Sequence, residues 1–194
     1  KLLPHNPSAA RAELAAAGYP GGKGLKEIVY FSSRSSSRSR KADSLLVAGW
    51  RSVGLPIKVK FSDWSALSDG VDRGTLPIFS LSWVADIPDP DSFLGALFMS
   101  RSPYNYFRYR DTEVDSMLEQ GRVLVDPRTR GGIYTVVEKH VLGEATMIPL
   151  FNSTLAFGIR STVHGLNITP LGISCVDFSH VWMEEPPGDH AVIE

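Results

Sequence analysis

The octet Trp83-Val84-Ala85-Asp86-Ile87-Pro88-Asp89-Pro90, with Asp91 directly after it, holds the densest set of groups that could do chemistry in this chain. One indole ring and three carboxylates lie within nine positions, so the chemistry on offer is the capture of a positive charge beside an apolar surface. Asp86 stands at the end of a strongly apolar run. An anion in a half-dry place needs a cation or several amides, because desolvating an unpaired carboxylate is costly. A ligand ammonium would supply that partner, with Trp83 covering the ligand's apolar part or adding cation–π attraction. The other reading is that Asp86 accepts amide hydrogens of its own turn, as aspartates before prolines do. Spacing leaves both open. A calcium loop is disfavoured, because Pro88 and Pro90 interrupt the acids and the downstream glycine and glutamate are missing.

The remaining candidate chemistry is thinner. Tyr104-Asn105-Tyr106-Phe107-Arg108-Tyr109 suits either core packing or the lining of a cleft by rigid amphipathic rings. His5, His140, His164, His180 and His190 are far apart, none in the helical HExxH spacing, so no metal is expected. The serines form no GxSxG elbow, no glycine spacing makes a phosphate loop, and no cofactor is implied. Cys175, the only cysteine, excludes an internal disulfide and reads as a small core hydrophobe. Ser32 to Ser39 with Arg34, Arg38, Arg40 and Lys41 is basic but lacks interleaved aromatics. It reads as a solvated strand-to-helix loop, with a ligand edge as the alternative and nucleic acid as a remote one.

Those groups need a scaffold. At 194 residues, 43% hydrophobic and 21% charged, the chain suits one globular domain, or one plus a tail. Its formal net charge of -1 gives no field that would steer it to nucleic acid or an anionic membrane. No apolar stretch approaches the ~20 residues of a membrane span. Lys1-Leu2-Leu3-Pro4-His5 resembles neither an initiator region nor a secretory signal, so a mature product or a piece of something longer is expected.

Patterning gives the elements. Asn6-Pro7 caps a helix that Gly18 stops, and four glycines with a proline then connect to a strand at 28–31. A helix over 42–53 precedes a strand in which Ile57, Val59 and Phe61 alternate with Lys58 and Lys60. A helix over 64–71 is capped by Ser62 or Asp63. Residues 78–84 read as a strand covered on both faces, which the prolines of the octet end, since proline has no amide hydrogen for the ladder. Carboxyl ends of such strands are where α/β proteins place ligand contacts.

Asp89-Pro90 caps a short helix with Phe93, Leu94, Leu97 and Phe98 as its apolar face. A helix begins at Thr112-Glu113-Val114-Asp115 and buries Val114, Met117, Leu118 and Val125. The next begins at Asp126-Pro127 and buries Ile133, Val137, His140 or Val141, and Ala145. Met147 to Phe151 reads as a further strand, and 184–194 as a flexible tail. The order strand, helix, strand, helix, strand predicts an α/β sheet with parallel neighbours.

Taken in order, these residues resemble the family 5 extracellular solute-binding proteins, the peptide, dipeptide and nickel-type receptors of ABC importers. The resemblance is carried by Asn6-Pro7, Ala15-Ala16-Ala17-Gly18-Tyr19-Pro20-Gly21-Gly22, Val53-Gly54-Leu55-Pro56-Ile57-Lys58-Val59, Asp63-Trp64 and Trp83 to Phe93. It continues through Asn105, Tyr109, Glu113-Val114-Asp115, Asp126 to Arg130, Ile148-Pro149-Leu150 and Val163-His164-Gly165-Leu166. The serine-rich loop and Gly70 to Pro77 depart from the pattern.

The resemblance implies the second lobe of a type II periplasmic-binding-protein fold, a mixed sheet flanked by helices, over residues 1–183. A missing N-terminal lobe would close on it, and a membrane permease of an ABC importer would be the partner. Location would be periplasmic or extracellular, with a lipid anchor on the missing N-terminus. It further implies non-catalytic binding of a peptide or other small solute, with Asp86 on the ligand's α-ammonium, Trp83 beside it, and Asn105 and Tyr109 near the cleft. A nickel chelate, a sugar, a hydrolase-like α/β enzyme and an interaction module are the alternatives.

Overall fold

The computed structural model describes residues 4–152, 154, 156–169, 171–172 and 175–184; most of the expected tail lies outside these. Its centre is a parallel three-stranded sheet in the order β2-β1-β3, with β1 Ile28–Ser32, β2 Ile57–Phe61 and β3 Ile78–Phe79. β1 alternates toward the core, burying Tyr30 and Ser32, as period-two patterning requires. Tyr30, Val47 and Ile57 form this core, and Trp50 meets the Tyr30 ring edge-on at 5.4 Å. The chain leaves the central β1 for one neighbour and then crosses to the other. That reversal opens a crevice at the strands' carboxyl ends.

The helices between strands have clear local causes. Helix α1 (Pro7–Ala16) is capped by Asn6 Oδ1 and buries no residue. Helix α2 spans Ser37–Ser52 and is capped by Ser36, so half of the serine-rich stretch is helix rather than loop. The expected loop gives way to a helix start because serine favours a helix N-cap as strongly as a turn. Helix α3 (Trp64–Asp72) is capped by Asp63, the second of the two expected candidates, rather than by Ser62. Gly22 and Gly54 meet backbone to backbone, and a Cβ on Gly22 would lie 1.7 Å from the Gly54 carbonyl oxygen.

Two expected strands are shorter or absent. Only Ile78 and Phe79 pair with β1, and the Ser80 amide makes the last bond, to Phe31 O at 3.0 Å. Beyond it β1 has ended, so residues 81–84 have no ladder to join. Residues 147–151 are irregular, and Ile148, Leu150 and Phe151 are exposed.

The second half is helical. Helix α4 (Leu94–Phe98) buries Leu97 and Phe98, whereas Phe93 is exposed. Helix α5 (Thr112–Val123) and helix α6 (Pro127–Gly143) form an antiparallel hairpin. Asp111, not Thr112, caps α5, its Oδ1 taking the Glu113 and Val114 amides. Val114 and Leu118 face Val137 and Val141 in the second core, the four being fully buried. Gly121 lets the helices touch, since a Cβ there would lie 2.9 Å from the Tyr134 ring. Val125 is 92% exposed because α5 has already ended, and Ala145 is exposed in a left-handed turn, φ 56°. Cys175 is exposed rather than a core residue.

Phe79 stacks on Phe107 at 6.3 Å and Phe107 on Phe98 at 5.4 Å, joining β3 to the helical core. A small antiparallel ribbon, β4 Val163–His164 with β5 Trp182–Met183, follows.

Candidate functional site

The site grows from the end of β3. The three parallel strands finish together, with Ser62 N bonded to Ser32 O and Ser80 N to Phe31 O, so the chain from Ser80 onward runs along the carboxyl edge of the sheet. Trp83 is half-buried against the helical core, donates its indole N–H to Ser92 O at 2.6 Å, and receives the Tyr104 ring edge-on at 5.4 Å. The indole is thereby fixed with part of its surface toward solvent.

The octet acids Asp86 and Asp89 and the adjoining Asp91 divide by what faces them. Asp89 accepts two bonds from Arg130 of α6, at 2.7 and 2.8 Å, and one from the Asp91 amide at 2.8 Å. The Arg130 guanidinium is the main reason its carboxyl stays below the usual range. Asp91 takes Arg122 of α5 on both oxygens, at 2.9–3.0 Å, and the Tyr134 hydroxyl at 3.1 Å. Burial, then the Asp91 charge, push the Tyr134 phenol up to about 12. Bidentate arginine pairs fix direction as well as distance, so the octet is stapled to both arms of the hairpin.

Asp86 stands apart. It is exposed, and among the described residues it makes no hydrogen bond and no ion pair. The turn amide that an octet acid does accept goes to Asp89, which removes the self-capping reading of Asp86. An open cavity of about 430 Å³ lies on the other side of Ile87, the residue after Asp86, and is lined in part by Ile87, Asp91, Gly95, Met99, Tyr104 and Arg122 but not by Asp86 or Trp83.

Asn105 and Tyr109 are placed differently. Asn105 donates to the carbonyls of Met99 and Tyr109, at 3.3 and 2.7 Å, and its Oδ1 accepts the Tyr109 amide at 3.0 Å. All of its amide chemistry therefore folds the loop 99–109. Tyr109 is 9% exposed and donates its hydroxyl to Glu144 at 2.7 Å. Burial and then that carboxylate drive its phenol strongly upward. Both residues hold the loop that carries Tyr104; neither is brought beside Asp86 by a bond.

The basic stretch is not free either. Arg34 pairs with Asp43, a fully buried carboxylate that also accepts the Tyr30 hydroxyl at 2.6 Å and the Ser32 hydroxyl at 2.8 Å. Arg40 donates to Arg34 O at 3.1 Å and lies over the Phe61 ring at 4.6 Å. A phosphate surface is thus not supported there.

Sequence reasoning missed the arginine partners and Asp43, which no short-range pattern announces. It also missed one group that a pattern does announce. His140 of α6 and Glu144, the residue that caps its C-terminus, are four apart and share one face, and with Asp111 they form a set of donor atoms all within 4.8 Å.

A family model described as bacterial extracellular solute-binding proteins, family 5 Middle, matches residues 1–105. A probable di/tripeptide-binding protein 5 of Pseudomonas aeruginosa is 29% identical over 185 residues, 92% of this chain and 34% of that protein. The periplasmic oligopeptide-binding protein OppA of Escherichia coli is 27% identical over 158 residues, 80% of this chain and 28% of that protein. Among solved structures, the clavulanic acid biosynthesis oligopeptide binding protein 2 superposes with a TM-score of 0.78 at 25% identity, over 91% of this chain and 33% of that one. The architecture is that of type II periplasmic binding proteins. The chain spans about a third of the length of the curated relatives it matches.

Proposed function

Because this chain belongs to the bacterial extracellular solute-binding proteins of family 5, we propose that it forms one wall of a cleft that binds a peptide by its free α-ammonium. The observation that carries this reading is the contrast among three neighbouring acids: Asp89 and Asp91 are held by arginines, whereas Asp86 is exposed and unpaired among the described residues. A rigid loop that leaves one carboxylate open is suited to a cation from outside. Trp83 and Tyr104 offer the apolar surface on which the first residues of a peptide would lie. Peptide-binding names among the relatives support the same class of solute.

On this reading the rest of the protein supplies the opposite wall, Asn105 and Tyr109 stiffen this one, and delivery is to the membrane permease of an ABC importer. No bond of the solute is made or broken. The place of work is the periplasm or the outer face of the membrane; among the described residues no helix is long and apolar enough to cross a bilayer.

Calorimetry on the full-length protein tests the assignment. A tripeptide with a free amine should lose about 30-fold or more in affinity on Asp86→Asn, equivalent to about 2 kcal/mol or more. N-acetylating the peptide should cost a similar factor, and the two losses should not add, because they remove the same pair. Equal affinity for free and acetylated peptides would remove Asp86 from the site.

A further inference from the structure

At the open end of the α5–α6 hairpin, opposite the loop 124–126 that joins the helices, three metal-type donors converge. His140 Nε2 lies 2.9 Å from Asp111 Oδ2 and 3.9 Å from Glu144 Oε1. Each carboxylate is anchored through one oxygen and turns the other toward His140, although Asp111 Oδ2 also accepts a long bond from the Tyr109 hydroxyl at 3.4 Å. Asp111 Oδ1 accepts the amides of Glu113 and Val114, at 2.8 and 3.2 Å, leaving Oδ2 toward the imidazole. Glu144 Oε2 accepts the hydroxyl of the buried Tyr109 at 2.7 Å, leaving Oε1 toward the same imidazole. Outer groups that orient the ligands in this way characterise built metal sites.

We infer that His140, Asp111 and Glu144 form a site for a first-row divalent cation of the zinc type. With metal–ligand bonds of about 2.0–2.1 Å, the donors of a tetrahedral ion stand about 3.3 Å apart. The two separations from His140 Nε2 straddle that value and all three donors lie within 4.8 Å of one another, so closure requires the Glu144 carboxylate to move toward the imidazole. One imidazole and two carboxylates with an open fourth position favour zinc, cobalt or nickel over magnesium and calcium, which need more oxygen ligands. His140 and Glu144 are 37% and 48% exposed, which leaves the fourth position to water. The C-terminal end of α6 adds a negative dipole.

The ion would work structurally. It would tie the first residue before α5 to the last turn of α6 and so close the hairpin at its free end. The other end of the hairpin carries Arg122 and Arg130, which hold the octet. His140 is ten residues from Arg130 along α6, about 15 Å at 1.5 Å per residue. The cation site is therefore separate from the peptide site and does not depend on that assignment.

The test uses the 194-residue chain stripped with a chelator, with zinc as the probe. Calorimetry should show one saturable site of micromolar or tighter affinity, and excess zinc should raise the melting temperature by about 5 °C. Cobalt should give visible bands of tetrahedral intensity. His140→Ala and Glu144→Gln should each weaken binding at least tenfold, Tyr109→Phe should weaken it less, and His164→Ala should leave it unchanged. Tyr109→Phe keeps the ring and so folds if His140→Ala does not. Absence of a zinc-dependent shift, or a shift of equal size in His140→Ala, would overturn the site.

Discussion

Asp86 and Asp89 of the octet and the adjoining Asp91 are chemically identical and differ only in what stands opposite. Arg130 is 21% exposed and Asp89 25%, so their bidentate pair is sheltered enough to contribute, unlike most surface pairs. Arg130→Ala should destabilise the protein by about 1–3 kcal/mol in urea unfolding, since it strips Asp89 of two charge-assisted bonds. It should also weaken peptide binding although Asp86 is untouched, because the turn that aims Asp86 is no longer held. Normal stability with normal binding in that variant would show that the arginine staple is incidental. The pair also sets an acid limit. Asp89 has a depressed pKa in the folded state, so its contribution is complete above the ordinary aspartate value of 3.8 and is lost as pH falls through the folded value. Acid titration of the melting temperature should lose part of its slope below that pH in Asp89→Asn. Asn105 and Tyr109 teach the complementary lesson: residue types suited to a cleft are engaged here in holding a loop.

At the scale of elements, the serine-rich stretch shows how a partner outside the pattern decides local structure. Ser36 caps α2, and about two turns later Asp43 enters the core beneath Tyr30 and Ser32 of β1. Three donors converge on that carboxylate, so β1 and the start of α2 form a single unit. Asp43→Ala would leave the Arg34 charge and two hydroxyls without their acceptor. It should cost about 3–5 kcal/mol, the loss expected on breaking a buried pair, measurable by urea unfolding. A loss under about 1 kcal/mol would mean that water replaces the carboxylate readily. The hairpin α5–α6 is the second such unit. Its contact depends on Gly121 opposite Tyr134 and on the valine seam, and it presents both octet-holding arginines from one rigid body.

For the whole molecule, the exposed apolar residues Ile148, Leu150, Phe151, Phe157 and Ile159 cluster in one irregular segment, a pattern that marks an interaction surface. The chain spans about a third of its relatives' length, and the remainder of the protein is the proposed cover. The 194-residue chain should bind a hydrophobic dye that a full-length version binds much less, and Phe151→Ser should reduce the dye signal; equal signals in both lengths would argue against that cover. The sequence by itself determined the alternation of strands and helices, the caps at Asn6, Asp63 and Asp126, and the exit from the sheet at the octet. Periodicity, capping and proline chemistry act within a few residues, so they can be read without a fold. The ends of β3 and α5 and the irregular course of 147–151 were not legible, because a strand lasts only as long as a neighbour offers ladder bonds. Which aspartate is free was not legible either. Asp89 and Asp91 are satisfied from 41 and 31 residues away, and only packing the hairpin against the octet leaves Asp86 as the open charge.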